Sequence, residues 1–185
     1  MKFLYISDLD GTLLDNCGIF PDNDKFKINE LIKSGLLFTI ATARTFATVI
    51  PLLDGVNINC PIILMNGVMI YELGKKIPID LEIIPDNAVQ NVLACLKKYD
   101  VTGFIYTWNN KMTAWYEKFA VAPMKAFYNA RRERKTFIHI PSFFDIPHTE
   151  KAIYFCICNT SQKLLPIYNE LKNDFGRKCS FQIEQ

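Results

Sequence analysis

Apolar and polar positions change their period along the chain. Residues 3 to 7, Phe-Leu-Tyr-Ile-Ser, form a short β-rich run that breaks into Asp8-Leu9-Asp10-Gly11-Thr12, the pattern of a first strand feeding a loop. Pro21-Asp22 opens a stretch in which Phe26, Ile28, Leu31 and Ile32 recur at near-helical spacing, closed by Gly35. Residues 36 to 41 predict a second buried strand, 45 to 53 a short helix, and 61 to 65 a third strand. This β-α-β-α-β order with apolar strands predicts a parallel sheet covered by helices on both faces.

After Asn66-Gly67 the grammar changes. Residues 68 to 71 and 76 to 79 flank Gly74 like a hairpin, and a domain boundary follows near residue 80. Beyond it, Asp86 is placed to cap a helix reaching Tyr99, with Ala88, Val92, Leu93 and Leu96 on its inner side. Strands over 103 to 108 and 112 to 117 face each other across Asn109-Asn110. A looser stretch runs through the basic segment 131 to 135. Then 151 to 158 reads as a strand, 161 to 175 as a helix and 178 to 183 as a last strand. The expectation is α/β throughout: a partial, Rossmann-like parallel-sheet core over residues 1 to 80, and an α/β domain with an antiparallel sheet over 81 to 185.

Composition narrows the function classes. The 185 residues carry 21 Lys plus Arg against 19 Asp plus Glu, a formal charge of +2, so there is no broad electrostatic footprint for nucleic acid or an anionic membrane. Half the residues are hydrophobic, ample for a core. The longest apolar runs are strand-sized, far short of the roughly 20 residues a membrane span needs. The amino terminus turns acidic at Asp8 and lacks a cleavage site, so a cytoplasmic location is expected. Six scattered cysteines read as free thiols. Cys156 and Cys158 have no second pair, and His139 and His148 have no partner spacing, so no zinc site is expected. The aromatics Tyr106, Trp108, Trp115 and Tyr116 read as packing a sheet face rather than lining a substrate wall, and the basic run as a solvated surface.

The informative residues are Asp8 and Asp10. In a strand, i and i+2 project to one side, so at its carboxyl end both carboxylates would face the crevice where open α/β sheets bind ligands. Leu9 would point into the core, Gly11 would let the chain leave sharply, and the Thr12 hydroxyl could fasten the turn. Two carboxylates this close suit a nucleophile paired with a general acid and base, or a hard cation such as Mg²⁺.

Asp8-Leu9-Asp10-Gly11-Thr12-Leu13-Leu14 resembles motif one of the haloacid dehalogenase superfamily. Ile40-Ala41-Thr42-Ala43-Arg44 is similar to the Ala-Thr-Gly-Arg second motif of its Cof-type phosphatases, and Ile63-Leu64-Met65-Asn66-Gly67 to their Asn-Gly segment. Residues 81 to 185 resemble in layout the cap that chooses the substrate. A phosphoacceptor receiver domain is the rival, but its acceptor aspartate should end the third strand, where Met65-Asn66 stands. The resemblance implies a hydrolase of small phosphorylated metabolites such as sugar phosphates, using Mg²⁺. Asp8 would form an aspartyl-phosphate, and Asp10 would protonate the leaving oxygen and later activate water. Thr42, with Leu9 and Gly11, would bind the phosphoryl group. Mg²⁺ would sit on the Asp8 carboxylate and the Asp10 carbonyl, while Thr12, Ala43, Arg44, Asn66 and Gly67 would support the site. Ala43 stands where glycine is usual, tolerable unless the backbone needs positive φ.

The same resemblance implies a lysine motif and a Gly-Asp motif after the cap. After residue 150 the only aspartate is Asp174, and no Gly-Asp or Asp-Asp pair occurs. The expectation is a core short of its last strands, completed by self-association or by a missing C-terminal segment. The alternative is an inactive, truncated protein serving as a binding module or without function.

Overall fold

A computed structural model describes residues 3–175. The chain divides between Glu82 and Ile83 into two compact units. Parallel and antiparallel pairings both occur, so the fold is α/β, as the hydropathy pattern predicts.

The first unit runs β1 (Leu4–Ser7), α1 (Asp22–Lys33), β2 (Leu37–Ile40), α2 (Phe46–Val49), β3 (Ile62–Leu64), β4 (Met69–Glu72) and β5 (Ile77–Leu81), with a 3₁₀ turn over Ile50–Leu53. β1 pairs in parallel with β2, Leu4 opposite Leu37 and Ser7 opposite Ile40. A parallel bridge from Ala41 to Ile63 links them to β3, which continues as an antiparallel β3-β4-β5 meander. Side chains set the register locally. Asn59 accepts the Phe38 N–H at 2.9 Å and donates to the Leu36 carbonyl at 2.7 Å, while the Thr39 hydroxyl donates to the Pro61 carbonyl. Phe20, Ile40, Val49, Ile62, Leu64 and Met69 are buried at the centre of this unit.

Cover on both sheet faces fails at one side. Helix α1 buries none of its residues, and its Phe26 and Leu31 are exposed. Leu4, Tyr5 and Ile6 of β1 are each about half exposed, at 51, 53 and 52%. Successive strand residues point to opposite faces, so both faces of β1 are open.

The second unit contains α3 (Asp86–Lys98), β6 (Gly103–Trp108), β7 (Met112–Tyr116), α4 (Ala122–Asn129), β8 (Phe137–His139), β9 (Lys151–Ile157) and α5 (Ser161–Phe175). Its sheet order is β8-β7-β6-β9. The expected antiparallel sheet is corrected in one respect, because β8 lies parallel to β7. Helix α4 and strand β8 fall in the stretch that reads as loose, where short elements carry too few periods to stand out. Asp86 is the first helical residue and makes no cap; it faces Lys151 at 3.5 Å instead. One cluster joins Leu93 to Ile105, Trp115, Phe143 and Ala152, and a second joins Val92, Cys95 and Leu96 to Ile167 and Leu171 of α5. Phe104 packs on the rings of Tyr116, Phe127 and Phe137. The strand expected over 178 to 183 lies outside the described residues.

Candidate active site

Strand β1 stops at Ser7, so strand pleating does not align Asp8 and Asp10. A turn does the work. The Leu9 carbonyl accepts the N–H groups of Thr12, Leu13 and Leu14 at 3.3, 3.0 and 2.9 Å, around a Leu9 side chain that is fully buried. Gly11 takes φ +72°, a left-handed conformation that costs an L-residue roughly 1–2 kcal/mol. Backbone hydrogen bonds, rather than the Thr12 hydroxyl, fasten this turn. Leu9 can offer a phosphoryl oxygen only its N–H, since its carbonyl is taken and its side chain is inside.

Three loop segments are stitched together at the strand ends. The Ala41 N–H donates to the Ser7 carbonyl at 2.9 Å and the Thr42 N–H to the Ile63 carbonyl at 3.0 Å. In return the Met65 N–H reaches the Arg44 carbonyl and the Asn66 N–H the Thr42 carbonyl. Met65, Asn66 and Gly67 are consecutive residues at positive φ, 52, 58 and 94°. Such strain persists only where neighbours over-determine it, and it gathers at functional sites. Ala43 lies outside the left-handed region, so the methyl in place of the usual glycine is tolerated.

These segments enclose a cleft of about 520 Å³ lined by Ser7, Asp8, Thr42, Ala43, Asn66 and Gly67, among others. Thr42 is buried, and its hydroxyl accepts the Arg44 N–H at 3.2 Å, which leaves its proton to donate. The lining contains one carboxylate, two hydroxyls and one side-chain amide but neither lysine nor arginine.

Asp10 is engaged elsewhere. Arg44 Nε donates to Oδ2 at 2.8 Å and Nη2 to Oδ1 at 2.7 Å, a bidentate pair. The Arg44 hydrogen bonds hold the Asp10 carboxyl below its ordinary value, and Asp10 raises Arg44 in turn. Sequence reading placed Arg44 as support at the rim. The partner it takes was not visible, because 34 residues separate the two in sequence.

A hard cation fits the donors present. Mg²⁺ is often held by one or two carboxylates with water completing its shell. The Asp8 carboxylate and the Asp10 main-chain carbonyl are oxygen donors of that kind, and the Asp10 carboxylate is already committed to Arg44. Among the described residues no group of three or more His, Cys, Asp or Glu gathers where it could hold a metal ion.

The family model for haloacid dehalogenase-like hydrolases matches residues 5–185. The chain belongs to that family. A putative phosphatase of Buchnera aphidicola is 26% identical over 180 residues, covering 96% of this chain and 64% of the relative. A 5-amino-6-(5-phospho-D-ribitylamino)uracil phosphatase of Bacillus subtilis is 38% identical over 77 residues, 42% of this chain and 26% of the relative. The crystal structure of a haloacid dehalogenase-like hydrolase from Bacteroides thetaiotaomicron superimposes with TM-score 0.75 at 20% identity, covering all of this chain and 68% of that one. The chain thus spans 64% of the length of the Buchnera relative and 68% of the Bacteroides structure, while its match to the Bacillus relative spans 26% of that protein.

The remaining sequence candidates of this haloacid dehalogenase-like chain take structural places. Tyr106 and Trp115 are buried in the sheet, and burial pushes the Tyr106 phenol up. Arg131 stacks over Phe127, and His139 lies edge-on to Tyr116. Of Cys17, Cys60, Cys95, Cys156 and Cys158, only Cys95 is buried. Cys179 lies outside the described residues. Among the described residues no helix is long and apolar enough to cross a membrane.

Proposed function

We propose that the cleft at Asp8 is the nucleophile side of a phosphomonoester hydrolase acting on small phosphorylated metabolites. Support comes from one arrangement: Asp8 and the Thr42 hydroxyl line the same cleft while Asp10 and Arg44 are paired beside it. The phosphatase names of the Buchnera and Bacillus relatives favour the same chemistry, and the phosphorylated ribityl substrate in the Bacillus name favours a sugar-like leaving group.

In this reading an Asp8 carboxylate oxygen attacks phosphorus and the bond to the leaving oxygen breaks. Protonated Asp10 gives its proton to that oxygen, and the phosphoryl group stays on Asp8 as an acyl phosphate. Water then attacks phosphorus and passes its proton to the Asp10 carboxylate, releasing phosphate and restoring Asp8. Thr42 donates to a phosphoryl oxygen, with the N–H groups of Leu9 and Gly11 alongside. Mg²⁺ held by the Asp8 carboxylate and the Asp10 carbonyl would supply charge neutralisation. Arg44 keeps Asp10 ionised, which suits the water-activating step and opposes the proton-donating one. Asp10 must therefore loosen from Arg44 when substrate enters. Residues 1 to 80 serve as the catalytic core in this assignment, and 81 to 185 as the cap that selects the leaving group.

The test is hydrolysis of p-nitrophenyl phosphate by the pure chain with Mg²⁺, alone and fused to the part of the Buchnera relative that has no counterpart here. Turnover in either form that Asp8→Asn abolishes supports the assignment. Absence of turnover in both overturns it.

A further inference from the structure

A second cavity, of about 210 Å³, lies within the second unit and shares no lining residue with the Asp8 cleft. Buried Leu93, Leu96, Val101 and Phe143 give it an apolar wall. Phe144 also lines it yet is 52% exposed, with Lys97 Nζ 5.9 Å from its ring centre. The polar groups of the lining divide into those the fold has used and those it has not. Glu117 is used: Oε1 accepts the Phe143 N–H at 2.8 Å, and Oε2 accepts the hydroxyl of buried Thr102 at 3.5 Å. Ser142 Oγ accepts the Phe144 N–H at 3.3 Å, which leaves the hydroxyl proton to donate. Lys97 forms an ion pair with none of the described residues.

Asp100, also in the lining, breaks two local preferences at once. It follows the end of α3 at φ 47°, a left-handed position where glycine or asparagine is usual. It also adds a negative charge where the helix dipole is already negative. The helix end closes without its side chain, because the Asp100 N–H reaches the Lys97 carbonyl at 3.2 Å and the Val101 N–H the Leu96 carbonyl at 3.0 Å. The carboxylate meets Lys118 only at 3.5 Å, both side chains lying mostly in water, and such a pair is worth little. Residues that break local rules without a structural return gather at functional sites.

We propose that this cavity binds a free α-amino acid with an apolar side chain. Its ammonium is held by Asp100 at the negative end of α3, its carboxylate by Lys97 and the Ser142 hydroxyl, and its side chain by the wall of Leu93, Leu96 and Phe143. Charge selects that class. The lining carries Lys97 and Lys118 against Asp100 and Glu117, so the signs balance. A plain carboxylic acid would leave Asp100 facing a like charge, and a plain amine would do the same to Lys97. The two charges of an α-amino acid flank one carbon, and Lys97 and Asp100 stand three residues apart at one helix end. Size agrees as well, because an apolar cavity of about 150 Å³ holds benzene, which leaves room here for a ring or a branched aliphatic group.

Isothermal titration calorimetry of the 185-residue chain tests the proposal, with L-phenylalanine and L-leucine as probes. At least one should bind saturably, one to one. For whichever binds, the matching acid without the ammonium, the matching amine without the carboxylate, and glycine should each bind at least about tenfold more weakly, as expected when a charged contact or the apolar group is lost. Lys97→Met and Asp100→Asn should each weaken binding by a similar factor. Both positions are exposed, and asparagine accepts the left-handed backbone, so the urea midpoint should stay within error and separate lost binding from lost folding. Absence of saturable binding by both amino acids overturns the proposal. So does equal binding of the matching acid, which would make the cavity a plain carboxylate site, and so does binding that survives both substitutions.

Discussion

Arg44 grips both carboxylate oxygens of Asp10, at 2.8 and 2.7 Å, although the Asp10 side chain is 55% exposed. Exposure keeps the energy small, while the bidentate fork fixes the geometry.

Replacing Arg44 with Met should let the Asp10 pKa rise toward the ordinary aspartate value near 3.9, read by carbon NMR titration of the carboxyl group. The wild-type value is lowered in the folded state, so the pair stabilises above the unfolded pKa and the contribution disappears as pH falls through the folded one. Solvent screening limits the loss at neutral pH to under about 1 kcal/mol. In a form that turns over, the alkaline limb of the rate profile should move to higher pH in Arg44→Met, because Asp10 must be protonated in the first step. Arg44→Lys should not restore the wild-type profile, since an ammonium lacks the planar fork.

Asp8→Asn should leave stability within about 0.5 kcal/mol, as expected for an exposed loop position. In any form that hydrolyses phosphomonoesters, the rate should fall by at least about a thousandfold, since the nucleophile is gone. Urea unfolding and turnover of the same preparation check both halves.

Gly67→Ala tests the strained loop. Nothing lies within 4 Å of the added methyl, so the cost is conformational at φ +94°, about 1–2 kcal/mol. Urea denaturation monitored by far-UV circular dichroism measures it.

Gly103→Ala tests the second unit by a different mechanism. Its methyl would collide with the Cys156 carbonyl and lie 2.7 Å from Ile157 Cδ1, across the β6–β9 pairing. Overpacking of this kind costs about 1–3 kcal/mol, read as a lower urea midpoint.

Glu170 on α5 accepts Lys98 Nζ at 2.7 Å and the Tyr99 hydroxyl at 2.8 Å, and these bonds lower its pKa. The stabilisation is present above the unfolded glutamate pKa and is lost as pH falls through the folded one. Glu170→Gln should flatten the acid-side slope of the unfolding midpoint against pH.

Long periodic segments were legible before the structure: α5 spans 161 to 175 as its spacing predicts, and the five strands of the first unit fall within a residue or two of their expected runs. Short elements were not. Helix α4 and the three-residue β8 draw their definition from aromatic packing with Phe104 and Tyr116, which a local window does not contain. At the site, residue identities pointed to Asp8, Thr42 and Asn66, which the structure brings to one cleft. The Arg44–Asp10 clamp and the left-handed run from Met65 to Gly67 were hidden, because both arise from loops meeting across sequence separations that no motif encodes.

The chain's two tryptophans, Trp108 and Trp115, both lie beyond Ile83, on β6 and β7. Trp115 is buried and its indole N–H donates to the Thr107 hydroxyl at 2.8 Å, which donates in turn to Glu150. Indole emission is therefore an optical tag on the second unit alone, while the unit holding Asp8 is dark at that wavelength. Melting curves followed by emission and by circular dichroism will coincide only if the two units lose structure together, so the placement of two residues turns a fluorimeter into a measure of cooperativity between them.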